Sequence, residues 1–374
     1  MLKSSNKIII SIFILFLLSI NIVNMYIPDR RFSQLENRML AQKPKLSIKN
    51  LISGRFTKKF EEYVTDQFPF RDFWGGIKSD VERLTLKTIN NGIFFGKDGY
   101  LLEDYKKPDK QLIENIKIIN DFANRLPNIS VHLLLVPNSV KIYEDKLPLF
   151  ASPYDQLKTM EKVKEGLNPN IDFVDVYDTL KNRNDEYIYF KTDHHWTMRG
   201  AYYAYKQFAE TMGIKPYDIE DFTSQIVSNT FYGTFYSKAN NRHLSPDAIE
   251  IFRPKSDITY KIYYADEDRY SNTLYELRHL DKKDKYSVFL DGNHSLMTIK
   301  TNIKNNKKIV IFKDSYSHCF IPFLANHYEE IHVMDLRYYK LDAHKYIKEH
   351  DIKEALFLYS VSSFDTDGNI NLLR

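Results

Sequence analysis

The sequence predicts an α/β protein: a parallel sheet covered by helices on both faces. Three observations carry that expectation. Short, nearly continuous apolar runs recur at 129–136, 171–174, 308–312, 331–334 and 355–359, as in strands buried on both faces. Stretches with helical apolar spacing separate them, namely 111–126 (Ile113, Ile116, Ile119 and Phe122 on one face), 155–167 and 199–212. Strand and helix therefore alternate, the pattern that builds a parallel sheet with helices packed over it.

The bulk properties agree. Of 374 residues, 43% are hydrophobic and 27% charged, so the chain has material for a large core and is not of disordered composition. The net charge is only +4, with both signs interspersed. No basic stripe marks a nucleic-acid partner, and none is expected. The single cysteine, Cys319, excludes an intrachain disulfide and any Cys-based metal or redox motif. Aromatic residues reach 14%; they either fill core and strand faces or stack on sugar rings.

In chain order, Lys3 and Lys7 precede an apolar run from Ile8 to Ile27, broken by Ser11, Ser19, Asn21 and Asn24. Its length suits a bilayer. No small-residue cleavage site follows it, so residues 1–28 are read as an uncleaved signal anchor. The lysines place the N-terminus inside, although Arg30 and Arg31 oppose that asymmetry. The expected product is a single-pass cell-membrane protein with its main domain extracytoplasmic. Residues 29–90 read as a juxtamembrane linker and a helical segment. There Phe60, Val64, Ile77, Val81 and Leu84 have core-like spacing, and Pro69 interrupts the helix. Residues 91–374 form the main domain, opening with a turn at Gly96-Lys-Asp-Gly99 between two short strands. Residues 225–300 read as an insertion of short strands, with aromatic alternation at 258–263 and 286–290.

Two constellations carry chemistry. In open α/β sheets, ligands bind beyond the carboxyl ends of the strands. Lys313-Asp-Ser-Tyr-Ser-His318 follows the apolar strand at 308–312. A serine there is exposed, near backbone N–H donors for an oxyanion and the positive end of a helix. Read alone, Asp314 or Ser315 serves equally as a helix cap. The second constellation is Thr192-Asp-His-His-Trp196. A serine nucleophile needs a base, a histidine supplies it near neutral pH, and a carboxylate fixes the tautomer. Asp193 and His195 are spaced for one such local bond. The alternatives are a polar helix start, or a metal site built from Asp-His-His. His318 is a second candidate base, and Cys319 reads as core.

The Asp193-His-His-Trp196 motif runs into Thr-Met-Arg-Gly-Ala-Tyr202, and Lys313-Asp-Ser-Tyr316 lies downstream. Together they resemble the DHHW proteins, which are grouped with the alginate O-acetyltransferase proteins and share an SGNH-hydrolase-like domain. Phe68-Pro-Phe-Arg71, Gly96-Lys-Asp-Gly99 and Phe289-Leu-Asp-Gly-Asn293 extend the resemblance over most of the chain beyond the anchor. It implies a three-layer SGNH-hydrolase-like fold, with Asp193, His195 and Ser315 as a catalytic triad. The implied activity is serine-dependent O-acetylation of an exopolysaccharide or cell-wall glycan through an acetyl-Ser315 intermediate. A membrane-bound O-acyltransferase partner would supply the acetyl group, and no metal or organic cofactor is needed. Oxyanion or substrate-binding candidates are the N–H groups of Ser315 and Tyr316, with Tyr232, Gly233 and Asn138. Two alternatives stand: a carbohydrate acetylesterase with the same triad, and a non-catalytic, membrane-tethered polysaccharide-assembly protein. Residues 316–374 leave no room for a separate carbohydrate-binding domain, so relay of acetyl to another protein is also open.

Overall fold

The computed structural model describes residues 2–33 and 38–374. They form two compact units: residues up to 87 with 240–242, and residues 88–239 with 243–374.

The first unit is helical. Helix α1 (Leu2–Tyr26) contains Asn6–Tyr26, 21 residues long and apolar enough to cross a membrane. Three further helices follow: α2 (Ile48–Ile52), α3 (Arg55–Asp66) and α4 (Arg71–Leu84). The break between α3 and α4 falls at Pro69, and Phe70 takes a left-handed conformation there (φ 56°). The chain leaving α1 is pinned at once. Arg30 pairs with Asp72 at 2.8 Å, and its backbone N–H and C=O are both held by the Gln67 side chain. The spacing of Phe60, Val64, Val81 and Leu84 suggests a core, yet all four are exposed.

The second unit is built on one eight-stranded sheet. Its strands are β1 (Ser130–Val136), β2 (Ile171–Asp175), β3 (Tyr260–Tyr264), β4 (Arg269–Ser271), β5 (Leu296–Thr301), β6 (Lys308–Lys313), β7 (Glu330–Met334) and β8 (Glu354–Ser360). The spatial order is β4-β3-β5-β7-β6-β8-β1-β2. From β7 to β2 the pairing is parallel, with Ile311 opposite Leu356 and Phe357 opposite Leu133. Strands β5, β3 and β4 continue the sheet antiparallel. Part of the 225–300 insertion is thus a sheet extension, while Phe222–Phe231 pairs separately with Asp247–Pro254.

Helices α5 (Lys110–Arg125), α6 (Gln156–Gly166), α7 (Met198–Thr211), α8 (Ser317–Leu324) and α9 (Ala343–Glu349) complete the layers. Phe122 of α5 packs edge-on against Phe312 and Phe357. Phe208 of α7 packs on His132 and on Phe320 of α8. His132 is next to Leu133, the residue opposite Phe357, and neighbours along a strand point to opposite faces. Helices α5 and α7 therefore cover opposite faces, giving the three layers. The stripe on α5 is shifted from the expected one: Leu112, Ile116, Ile119 and Phe122 are buried, whereas Ile113 faces solvent. Residues 286–290, expected to be a strand, instead contribute to a 3₁₀ turn (Lys285–Val288). Tyr286 and Phe289 are neighbours there at 5.2 Å, an i, i+3 contact that suits three residues per turn.

Candidate active site

Strand β6 is buried because every residue after Lys308 is apolar up to Lys313, which ends it. The chain then turns sharply through Asp314 and Ser315 into α8. Asp314 organises the turn: Oδ1 accepts the Tyr316 N–H at 2.8 Å, and Oδ2 accepts the N–H and hydroxyl of Ser360 at 2.8 and 2.9 Å. The turn is thereby bolted to the end of β8. The Ser315 carbonyl accepts the Tyr286 hydroxyl at 3.0 Å, and the Tyr316 carbonyl accepts the Trp196 indole N–H at 2.9 Å. Ser315 is left half-buried, and its own N–H has no acceptor among the described residues.

His195 is presented by the loop before α7. Asp247 grips the loop's start, accepting the N–H of Lys191 and both the N–H and hydroxyl of Thr192. Thr197 caps α7 by accepting the Gly200 N–H. Between these points His195 Nδ1 lies 2.5 Å from Asp193 Oδ1, and His195 Nε2 lies 2.7 Å from Ser315 Oγ. The three side chains the sequence singles out are in one hydrogen-bonded line, although 120 residues separate His195 from Ser315. The second Asp193 oxygen accepts the Thr234 N–H at 2.7 Å and its hydroxyl at 3.1 Å.

Both faces of the His195 ring are covered. Tyr286 lies flat on one, with centroids 3.7 Å apart and planes 5° from parallel. The His194 ring is also 3.7 Å away, and His194 Nδ1 donates to Thr234 Oγ1 at 2.6 Å. Burial, with His194 beside it, lowers His195 to about 4 against the pull of Asp193. The imidazole is neutral at neutral pH and free to accept a proton. Burial would raise the Asp193 carboxyl, but the two histidines outweigh it and hold the group well below the usual carboxylate range.

The remaining candidates are placed as follows. The Tyr316 N–H is spent on Asp314, and its hydroxyl donates to the His194 carbonyl. Asn138 Nδ2 donates to that hydroxyl at 3.0 Å, while its Oδ1 accepts from Gln156 and Ser362. The Tyr232 hydroxyl donates to the Leu244 carbonyl at 3.1 Å, away from Ser315. The Gly233 N–H donates to Thr192 Oγ1 at 3.1 Å. Gly233 matters for space: a Cβ there would sit 2.2 Å from Asp193 Cβ, so only glycine lets this backbone pass. Among the backbone N–H groups expected to face substrate, that of Ser315 is unspent, and the Asn138 amide, which gives one N–H to Tyr316, keeps a second.

His318 turns away from the serine. Its Nε2 meets Lys313 Nζ at 2.7 Å, and Lys313 is paired with the buried Asp335 at 3.0 Å. Burial and the adjacent Lys313 hold His318 far below its ordinary value, so it is a neutral acceptor. Cys319 is buried, and burial pushes its thiol up. Asp193, His194 and His195 also have potential metal-ligand atoms within 4.8 Å of one another. Either His195 nitrogen would have to leave Asp193 or Ser315 to bind an ion. Tyr286 and Thr234 contact the triad directly and were not singled out from sequence. An open cleft of about 530 Å³ adjoins the site, lined among others by His194, Thr234, Phe235, Tyr105 and Asp365.

Comparison with known proteins places the chain in a family. The sequence profile of the DHHW proteins matches residues 99–334. A crystal structure of a DHHW family protein from Eubacterium siraeum is 27% identical, covering 76% of this chain and 95% of that one, with a TM-score of 0.67. Bacillus cereus PatB1 is 22% identical, with a TM-score of 0.63 over 74% of this chain and 97% of that one. The probable alginate O-acetylase AlgJ of Pseudomonas fluorescens is 22% identical over 180 residues, 44% of each protein. The chain thus spans less than half of that curated relative. The fold is the SGNH-hydrolase-like α/β arrangement, and with its profile matched over more than half the chain the protein belongs to the DHHW family.

Proposed function

We propose that the protein is a serine-dependent O-acyltransferase that acetylates a glycan outside the cytoplasm. The observation carrying this reading is the line from Ser315 Oγ to His195 Nε2 to Asp193, at 2.7 and 2.5 Å. In the proposed cycle His195 takes the Ser315 proton as Oγ attacks an acetyl carbonyl. The charge that develops on the carbonyl oxygen meets the unspent Ser315 N–H and the end of the α8 dipole. His195 then returns the proton to the departing donor group, leaving acetyl-Ser315. A sugar hydroxyl lying in the cleft beside His194 gives its proton to His195 and attacks the acetyl-enzyme. The product is the sugar ester, and the proton returns to Ser315. Asp193 holds the imidazole tautomer throughout.

AlgJ, named as a probable alginate O-acetylase, supports the reaction class, and the apolar helix α1 supports a membrane anchor. A membrane-bound O-acyltransferase is the proposed source of acetyl groups. Intact-mass spectrometry after mixing with an activated acetyl ester is the test. One acetyl group on Ser315, absent in Ser315→Ala and His195→Ala, is the expected result. Folded wild-type protein that takes up no acetyl group and turns over no ester would refute the reading. Adding glycans to the acetylated enzyme then separates transfer from hydrolysis.

A further inference from the structure

Among the described residues, fourteen exposed large hydrophobic side chains lie within 39–86, against nine in 88–374. That concentration is far above the scatter of apolar groups normal on a soluble surface, so the helices α2, α3 and α4 carry a face made for something other than water. On α4 the residues Phe70, Phe73, Trp74, Val81 and Leu84 recur at three, four and seven positions, a stripe that ordinarily faces a core. Here Trp74 is 40% and Leu84 82% exposed. On α3, Phe56 stacks on Phe60 at 5.8 Å, and Phe60 meets the tilted Tyr63 ring at 6.0 Å. Ile48 and Ile52 of α2 are exposed as well. A groove of about 500 Å³ lies among Val64, Phe68, Trp74 and Lys78.

Two observations identify what covers this face. One is the tether. The Arg30 backbone is held by Gln67, and its guanidinium by Asp72; Tyr63 reaches Asp29 at 3.0 Å. Only the residues from Ile27 to Arg30 separate that clamp from the end of α1, at most about 14 Å of extended chain. The α3–α4 junction therefore stays at the exit of the apolar span. The other is charge. Lys43, Lys45, Lys49, Arg55, Lys58 and Lys59 fall in a seventeen-residue stretch without one acidic residue. Apolar side chains beside a row of lysines are the composition of a helix lying in an anionic membrane interface.

We infer that α2, α3 and α4 lie on the bilayer that α1 enters, their aromatic stripe among the acyl chains and their lysines at anionic headgroups. The inference rests on α1 being a membrane anchor, and it is independent of the chemistry at Ser315.

The chain supplies its own reporter. It has two tryptophans, and Trp196 is fully buried, so Trp74 alone can respond to a quencher. The full-length protein is reconstituted into vesicles of phosphatidylcholine and phosphatidylglycerol, and its emission is read with lipids brominated close to the headgroup. The expected result is recovery of the chain with floated vesicles and loss of most of the Trp74 emission. Trp74→Phe should abolish that response, and the double variant Lys58→Glu, Lys59→Glu should weaken it. A floated chain whose Trp74 is quenched by aqueous iodide and not by brominated lipid would overturn the inference. Trp74 shielded from both quenchers would overturn it too, since a protein partner or a second copy would then cover the face. A chain that fails to float would remove the anchor and the inference with it, while leaving acetylation of Ser315 to be judged separately.

Discussion

At the scale of single residues, the protonation of His195 determines how the site responds to pH. Its ring is buried between Tyr286 and His194, and burial with the neighbouring imidazole lowers it to about 4. An unperturbed histidine titrates near 6.5, so the neutral, proton-accepting form persists well into the acid range. The rate of acetyl-enzyme formation should be flat from neutral pH down to about pH 5 and fall with a midpoint near 4, as read by stopped-flow with an activated ester. A midpoint between 6 and 7 would mean that the ring is hydrated. The linkage sign follows from the same shift. Because the folded value is depressed, the stability tied to neutral His195 is present above the unfolded value and is lost as pH falls towards the folded one. Asp193, held low by the two histidines, keeps its charge across that range. The Asp193-His-His-Trp196 motif and the serine after the strand at 308–312 made the meeting of Asp193, His195 and Ser315 legible, and their catalysis is the proposed part. Gly233 was legible only as part of a motif: its contribution is the absence of a side chain against Asp193, and nothing in Phe-Tyr-Gly-Thr distinguishes that from a donating N–H.

At the scale of elements, the 3₁₀ turn at Lys285–Val288 touches two members of the site. It delivers the Tyr286 ring to the face of His195 and the Tyr286 hydroxyl to the Ser315 carbonyl at 3.0 Å. One side chain thus holds both His195 and Ser315, the proposed base and nucleophile. Tyr286→Phe keeps the plate and loses the hydroxyl bond, so kcat should fall by no more than about tenfold, a bond of that kind being worth about 1 kcal/mol. Tyr286→Ala removes the plate, lets water and ring motion in, and should reduce kcat by about a hundredfold. It should also move the acid midpoint up towards that of a free histidine. A purely structural role would lower stability in both variants and leave the midpoint where it is. The turn escaped the sequence reading because Tyr286, Val288 and Leu290 alternate like a strand. The contact that decides the conformation is instead between Tyr286 and Phe289, and tertiary packing selected it. The stripe on α4 was misread in the opposite sense. Its period correctly gives a helix, but period alone does not say whether the apolar side meets a core, and here it meets none.

At the scale of the whole molecule, the alternation of apolar runs and amphipathic helices foretold the parallel half of the sheet almost strand for strand. Those strands are buried on both faces, and burial writes itself into composition. The antiparallel extension was less legible. Strands β3, β4 and β5 lie at an edge, alternate polar with apolar residues, and take their place through pairings such as Ile262 with Ile299 that no local pattern encodes. The position of β8 has a consequence in time. It lies between β6 and β1 and is parallel to both, yet it is the last strand of the sheet to be synthesised. A nascent chain holds the Ser315 turn without Ser360, whose N–H and hydroxyl donate to the Asp314 carboxylate, and holds β1 and β6 as two open edges with nothing between them. Assembly of the site should therefore come late in folding. A chain ending at residue 353 should stay expanded and fail to acetylate itself, and adding a peptide of residues 354–374 should restore both compaction and adduct. Under the proposed extracytoplasmic placement, passage of the domain in chain order behind α1 would keep Ser315 inert until β8 has crossed, so that the place of folding sets the place of chemistry.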